Sequence, residues 1–173
     1  NRTFRCPDGT FDYAAIENIN ISSENGAQMI MSTNGADQDW YGAVSTFSTK
    51  FLDCLDWHIG VDLRYYKANH VNRIIDLYGG EYYIDPSREN VSITDNVNAT
   101  DEWKNEHLGI GNAIYRNYDS HIMQEGIFSQ LEYTRKNYNI FISGALNYST
   151  YWRYDYLYYD SNNARSKNIG FIG

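Results

Sequence analysis

Hydrophobic and polar positions alternate with period two from Tyr138 to Tyr148. Tyr138, Ile140, Ile142, Gly144, Leu146 and Tyr148 fall on one face, and Asn139, Phe141, Ser143, Ala145 and Asn147 on the other. An apolar row about eleven residues long, with an aromatic at each end, matches a tilted transmembrane β-strand whose tyrosines sit at the two headgroup boundaries. A soluble antiparallel sheet with one wet face alternates in the same way, so repetition along the chain has to decide.

The frame repeats. Trp57, Ile59, Val61, Leu63 and Tyr65 form a second apolar row, opposed by His58, Gly60, Asp62, Arg64 and Tyr66. Tyr41, Ala43, Ser45, Phe47, Thr49 and Phe51 give a third row with poorer filling, and Ile127, Ser129, Leu131 and Tyr133 a shorter fourth. Four such strands predict an all-β chain and a segment of a large antiparallel transmembrane β-barrel with long extracellular loops, residues 1–173 being part of one barrel domain.

In order, residues 1–37 read as a long loop, broken by Asp8-Gly9, Asn25-Gly26 and Asn34-Gly35. Strands are expected over 39–51 and 56–67, joined by Leu52 to Leu55. Residues 68–105 read as a second long loop that opens with Val71, Ile74, Ile75 and Tyr78 at near-helical spacing and stops at Gly79-Gly80. A hairpin over 107–118 and 121–133 is expected to turn at Asp119-Ser120. Arg135 to Asn137 is the next tight turn, 138–154 the longest strand, 155–166 a loop, and 166–173 the start of a further strand. Short turns of such barrels are periplasmic and long loops extracellular. That parity allows one descending crossing between the strands from Asp56 and from Tyr138, so 107–118 is expected to pair above the membrane.

Composition sharpens this picture. Seventeen Tyr, seven Phe and four Trp, against two Pro, favour strands over helices. The mean hydropathy of -0.61 does not exclude a barrel, whose lipid-facing residues occur only at every second position and so dilute the average. No apolar run approaches the roughly 18 residues of a spanning helix. A net charge of -8 opposes a nucleic-acid partner, since phosphate contacts need clustered Lys and Arg. The start at Asn1, with no charged n-region or apolar h-region, is expected to lie inside a longer polypeptide, because a wall of about five strands leaves edges that hydrocarbon does not tolerate.

Candidate chemistry is sparse. His58, Asp62 and Arg64 line one strand face over about 20 Å, with Tyr66 next in the same row, and would meet a plug or a polar solute, or pair among themselves. Tyr82, Tyr83, Trp103, Tyr156, Tyr158 and Tyr159 are loop aromatics that would stack on a sugar or peptide, or pack the loops together. The four His have no HxH or HxxxH spacing and the Cys are distant, so no metal or other cofactor is expected. Glu125 and Glu132 lack a partner for glycosidase chemistry and no nucleophile or nucleotide motif occurs, so the chain is not expected to be an enzyme. Five Asn-x-Ser/Thr sequons, at Asn1, Asn20, Asn90, Asn98 and Asn147, read mostly as loop composition. Cys6, in an extracellular loop, and Cys54, in a periplasmic turn, are expected not to pair, since the core between them is about 30 Å thick.

The strand-loop-strand series resembles the TonB-dependent receptors of the Bacteroidetes outer membrane, in the middle of their 22-stranded barrel. The resemblance rests on Asp39-Trp40-Tyr41-Gly42, on Gly60 to Tyr66 followed by His70 and by Asp76-Leu77-Tyr78-Gly79-Gly80, on Gly126 to Tyr133, and on Arg153-Tyr154-Asp155-Tyr156. Gln124 departs from it, at a position where an aromatic is expected. It implies active import of a nutrient, with outer-membrane lipid, a plug domain and the rest of the barrel, the TonB complex acting through an N-terminal region outside this chain, and a surface lipoprotein as partners. Two rival readings share the alternation: a soluble, glycosylated β-sandwich that binds carbohydrate, which requires the row from Tyr138 to Tyr148 to be covered by a second sheet, and a small self-contained barrel or porin, which requires the first and last strands to close.

Overall fold

The computed structural model describes residues 4–161, 163–166 and the backbone of 169–172. The fold is mostly β. An open sheet carries strands β1 (Met31–Leu52), β2 (Leu55–Asp76), β3 (Ala113–Arg135), β4 (Tyr138–Asp155) and β5 (Ile169–Ile172) in sequence order. β4 and β5 are antiparallel, with Tyr148 opposite Ile172 and Tyr151 opposite Ile169. Helices α1 (Tyr13–Ser22) and α2 (Asp101–Lys104) lie outside the sheet. β1 and β5 are its two edges, so the described strands do not close.

The first four strands run for 22, 22, 23 and 18 residues, whereas strands of globular proteins usually run about 3–10. Asp53-Cys54 joins β1 to β2, and Lys136-Asn137 joins β3 to β4. Lys136 takes a φ of 45°, uncommon for a residue with a Cβ. The amide of Thr134 donates to the Cys54 carbonyl at 2.8 Å, which puts both tight turns at one end of the sheet.

Several boundaries differ from the pattern-based expectation. β1 begins at Met31, not Asp39, and passes through Asn34-Gly35 without turning. Gly35 serves there by having no side chain: a Cβ would come 3.2 Å from the Val71 carbonyl oxygen. β2 continues to Asp76, so the near-helical spacing of Val71, Ile74 and Ile75 misleads. Asn72 and Ile74 are buried while Arg73 and Ile75 are exposed, the alternation of a strand. The expected hairpin at Asp119-Ser120 is absent, because β3 is one strand through that point. The Asp119 carboxylate, free to cap a turn in sequence terms, is instead buried and accepts from Asn69 Nδ2 at 2.8 Å and Tyr156 OH at 3.1 Å. The separate strand over 107–118 therefore does not exist, and residues 113–118 are the first part of β3. β3 is also longer than β4.

The first loop contains a helix that the turn dipeptides obscured. Asp12 caps α1, its carboxylate accepting from Ala15 N. A ten-residue helix is marginal alone, and Asn20 fixes it. Its Nδ2 donates to the carbonyls of Met29 and Leu77 at 2.7 and 2.8 Å, and its Oδ1 accepts from the amides of Gln28 and Met29. All four bonding positions of a buried amide are thereby filled.

The chain divides into two compact units. One comprises 1–37, 69–119 and 154–166, the other 38–68, 120–153 and 167–173. The first has a core of Ala27, Ile74, Leu77, Tyr83, Leu108 and Ile114, and a second cluster of Val91, Ala99 and Tyr158 joined by Trp103, Leu157 and Tyr159. The described residues of the second unit are strands of the sheet and their tight turns. Both cysteines are free thiols.

Candidate functional site

Side-chain contacts in the sheet unit sort onto two faces. On one, Tyr41 stacks on Tyr65, Phe51 packs on Trp57, and Trp57 Nε1 donates to Ser129 Oγ at 2.8 Å. The His121 ring lies parallel to Trp152 at 5.0 Å, and its Nδ1 is 2.7 Å from Tyr65 OH. Tyr65 also packs on Trp152. Val61, Leu63, Ile127, Ile140, Ile142, Leu146 and Tyr148 share these rows and are all exposed, Ile140 at 63% and Ile142 at 70%. No second sheet covers them among the described residues. Glu125 interrupts the row of β3.

The other face carries the predicted polar constellation. Ser48 Oγ lies 2.8 Å from His58 Nδ1, and Lys50 pairs with Asp56 at 3.6 Å. Arg64 Nε and Nη2 donate to the two carboxylate oxygens of Asp62 at 3.0 and 2.7 Å, a bidentate pair two residues apart on one strand. Tyr66 OH donates to Gln38 Oε1, and the Tyr66 ring packs on Trp40 at 5.0 Å. Trp40 and Gln38 are contributors that the sequence reading did not single out. Trp40 belongs to the even-numbered row of β1, and the same parity argument finds it. The structure thus brings Asp62, Arg64 and Tyr66 together with Trp40, and gives His58 a separate partner. Val44 and Phe141 also lie exposed on this face, so it is mixed rather than wholly polar.

Glycines shape this face. A Cβ at Gly60 would meet the Phe128 ring at 2.3 Å, so that ring fills the gap over β2. Gly42 and Gly126 each border an opening that the Asp62–Arg64 pair also lines. The first is a cavity of about 350 Å³ bordered by Trp40, Val44, Asp62 and Arg64. The second, of about 270 Å³, is bordered by Asp62, Arg64, Gln124, Asn147 and Ser149, with Glu125 at its rim.

The loop aromatics, all in the other unit, are held by their own loops. Tyr158 is buried and donates to Asp85 Oδ2 at 2.5 Å; Asp85, 1% exposed, also accepts from the amides of Ser87 and Tyr115. Burial first and then this bond push the Tyr158 phenol up above its ordinary range. Tyr83 is likewise buried, its hydroxyl 2.6 Å from Tyr115 OH, and burial raises its pKa too. Trp103 receives the buried Arg88 guanidinium on its face at 4.6 Å, and Arg88 Nη1 donates to Trp103 O and Glu106 Oε2. Tyr159 packs in the same cluster under the Arg165 guanidinium. Tyr82 stacks on His107, leaving Tyr156 as the exposed member. These contacts are those of loops packed on each other. Among the described residues, no group of three His, Cys, Asp or Glu is placed to hold a metal. Among the described residues, no helix is long and apolar enough to cross a membrane, which bears on helices alone.

No family model, curated protein or solved structure matches this chain.

Proposed function

We propose that this chain forms part of the wall of a large outer-membrane β-barrel of the TonB-dependent type, an active transporter that imports a nutrient. Lipid would meet the apolar face, while a plug domain and further strands would meet the polar face and the sheet edges. The TonB complex and a surface lipoprotein are the partners that such a transporter needs. The observation that carries this reading is the uncovered apolar face on strands about twice the roughly 9–11 residues that cross a bilayer. Aromatics bound it at one end through Tyr41, Tyr65 and Trp152, and at the other through Phe51, Trp57 and Tyr138. In water such a face would be a large exposed apolar patch that a soluble monomer avoids. Glu125 departs from the row; a carboxylate costs less than Arg or Lys on a lipid face, and least near the interfaces.

The test is fractionation of cells that express the full-length protein, followed by uptake measurements. The protein should remain in the outer-membrane fraction after alkaline extraction, and solute uptake should stop when the proton-motive force is collapsed. Recovery in the soluble fraction would overturn the reading, and uptake that persists without the proton-motive force would reduce it to a passive pore.

A further inference from the structure

We propose that the apolar face of the sheet carries a site for one membrane lipid with a primary ammonium head group, built from Glu125 and the groove beside it. The proposal rests on the reading that this face meets lipid. Glu125 is exposed in the row of β3 that runs through Met123, Ile127 and Leu131. Among the described residues, neither a hydrogen bond nor an ion pair engages its carboxylate. A charged group on a lipid-facing surface is costly, and as a rule such a group has a partner. The described sheet supplies none, so the partner comes from the surroundings, and the charge that complements a carboxylate is positive.

The register places this carboxylate. A Cβ at Gly126 would come 2.5 Å from Asn147 Oδ1 and 3.6 Å from Asp62 Cβ, so β3 at this point runs between Asp62 and Asn147. Alternation then sets Glu125 between Leu63 and Tyr148 on the opposite face. The stacked Tyr41 and Tyr65 rings, which bound the apolar rows, lie one residue pair further along their strands. On strands tilted by about 45° that step is about 5 Å of depth, so the Glu125 side chain reaches the level where head groups begin. On the same face a groove of about 270 Å³ is bordered by Tyr41, Ala43, Leu63, Tyr65 and Met123. Such a lining suits an acyl chain, and two of its walls, Leu63 and Met123, are the neighbours of Glu125. One lipid molecule joins the two features, its chain in the groove and its ammonium donating to the carboxylate. A head group with net negative charge would be repelled there. A trimethylated one keeps the positive charge but has no N–H to donate.

The experiment offers the purified full-length protein, in detergent, equal amounts of phosphatidylethanolamine, phosphatidylcholine and phosphatidylglycerol with identical chains. Native mass spectrometry then counts the lipid retained. Phosphatidylethanolamine should be retained about tenfold over phosphatidylglycerol, with phosphatidylcholine between them. Glu125→Gln, which removes the charge and keeps the shape, should bring the three close to parity. Ala43→Phe, which fills the groove, should lower the retention of all three and leave their ranking. Both side chains lie on the surface of the sheet, and protease resistance of the vesicle-inserted variants checks that they fold. Equal retention by the unaltered protein, a preference that survives in Glu125→Gln, or retention unchanged in Ala43→Phe overturns the proposal and leaves the barrel reading standing. A preference for phosphatidylglycerol that chelation of divalent cations abolishes also overturns it, since a metal would then bridge carboxylate and phosphate. Full-length protein that inserts into vesicles of none of the three lipids overturns the barrel reading, and this proposal with it.

Discussion

The two units use their apolar residues in opposite ways. Among the described residues, every buried hydrophobic residue except Ala68 belongs to the unit built from 1–37, 69–119 and 154–166, where Ile74, Leu108 and Ile114 meet other side chains. In the sheet unit Phe47, Val61, Leu63, Ile140, Ile142 and Leu146 are exposed. One unit carries its own core. The other has strands of full regularity whose apolar rows, among the described residues, are covered by no second layer. Regular secondary structure and a core are separable properties, and this molecule separates them.

Core truncation should give the largest effect. Ile114→Ala should destabilise its unit by about 2–5 kcal/mol, since a fully buried side chain leaves a cavity. Ile140→Ala in detergent should cost far less, and equal costs, read from denaturant or thermal unfolding of the two variants, would erase the contrast. Reversing the medium should reverse the sensitivity. In a lipid bilayer Ile142→Arg should cost about 2–4 kcal/mol, and Ser143→Arg, on the opposite face, should cost less. Refolding titrations into vesicles measure both, and equal small costs would mean that the face or its environment is misassigned.

A smaller effect is expected at Asn20. Asn20→Ala strips partners from two carbonyls and two amides at once and should cost about 2–3 kcal/mol. It should loosen α1 selectively, which amide exchange across 13–30 would register. The smallest effect concerns pH. The raised pKa of Tyr83 and Tyr158 means that their stabilisation is complete below about pH 10, the unfolded value, and is lost as pH climbs through the folded value. Amide protection around 85–107 and 154–160 should therefore hold at neutral pH and fall at strongly alkaline pH. Tyr158→Phe should lower it by about 1–2 kcal/mol at neutral pH and flatten the alkaline loss.

What the sequence made legible follows the same division. Period-two rows survive intact in the sheet unit, and Tyr41–Tyr65, Phe51–Trp57 and His121–Trp152 all fall on the face that alternation assigns them. Both tight turns were also readable, because chain reversal there rests on local conformation alone. Legibility failed where distant partners decide. Asn34-Gly35 and Asp119-Ser120 look like turns, yet Gly35 lies against Val71 and Asp119 is claimed by Asn69 and Tyr156. Helix α1 depends on a bond from Asn20 to Leu77, 57 residues away, which no window of sequence contains. Among the site residues, Asp62, Arg64 and Tyr66 could be placed on one face from spacing, whereas the openings beside them are bordered by residues of β1, β3 and β4 that come together only in the folded sheet.

The bonds that tie residues 85–97 to residues 157–163 also set how the protein meets a protease. Asp85 holds Tyr158, Asn96 Nδ2 donates to Leu157 O, Val97 N to Asp160 Oδ2, and Asn163 Nδ2 to Asp95 Oδ1. The exposed points of attack, Asn90, Ile93 and Asn98, lie within or beside that stitched stretch. A single cut there gives two pieces that remain fastened, because residues before the cut are bonded to residues 157–163 after it, so a nicked molecule should migrate as intact until it is denatured.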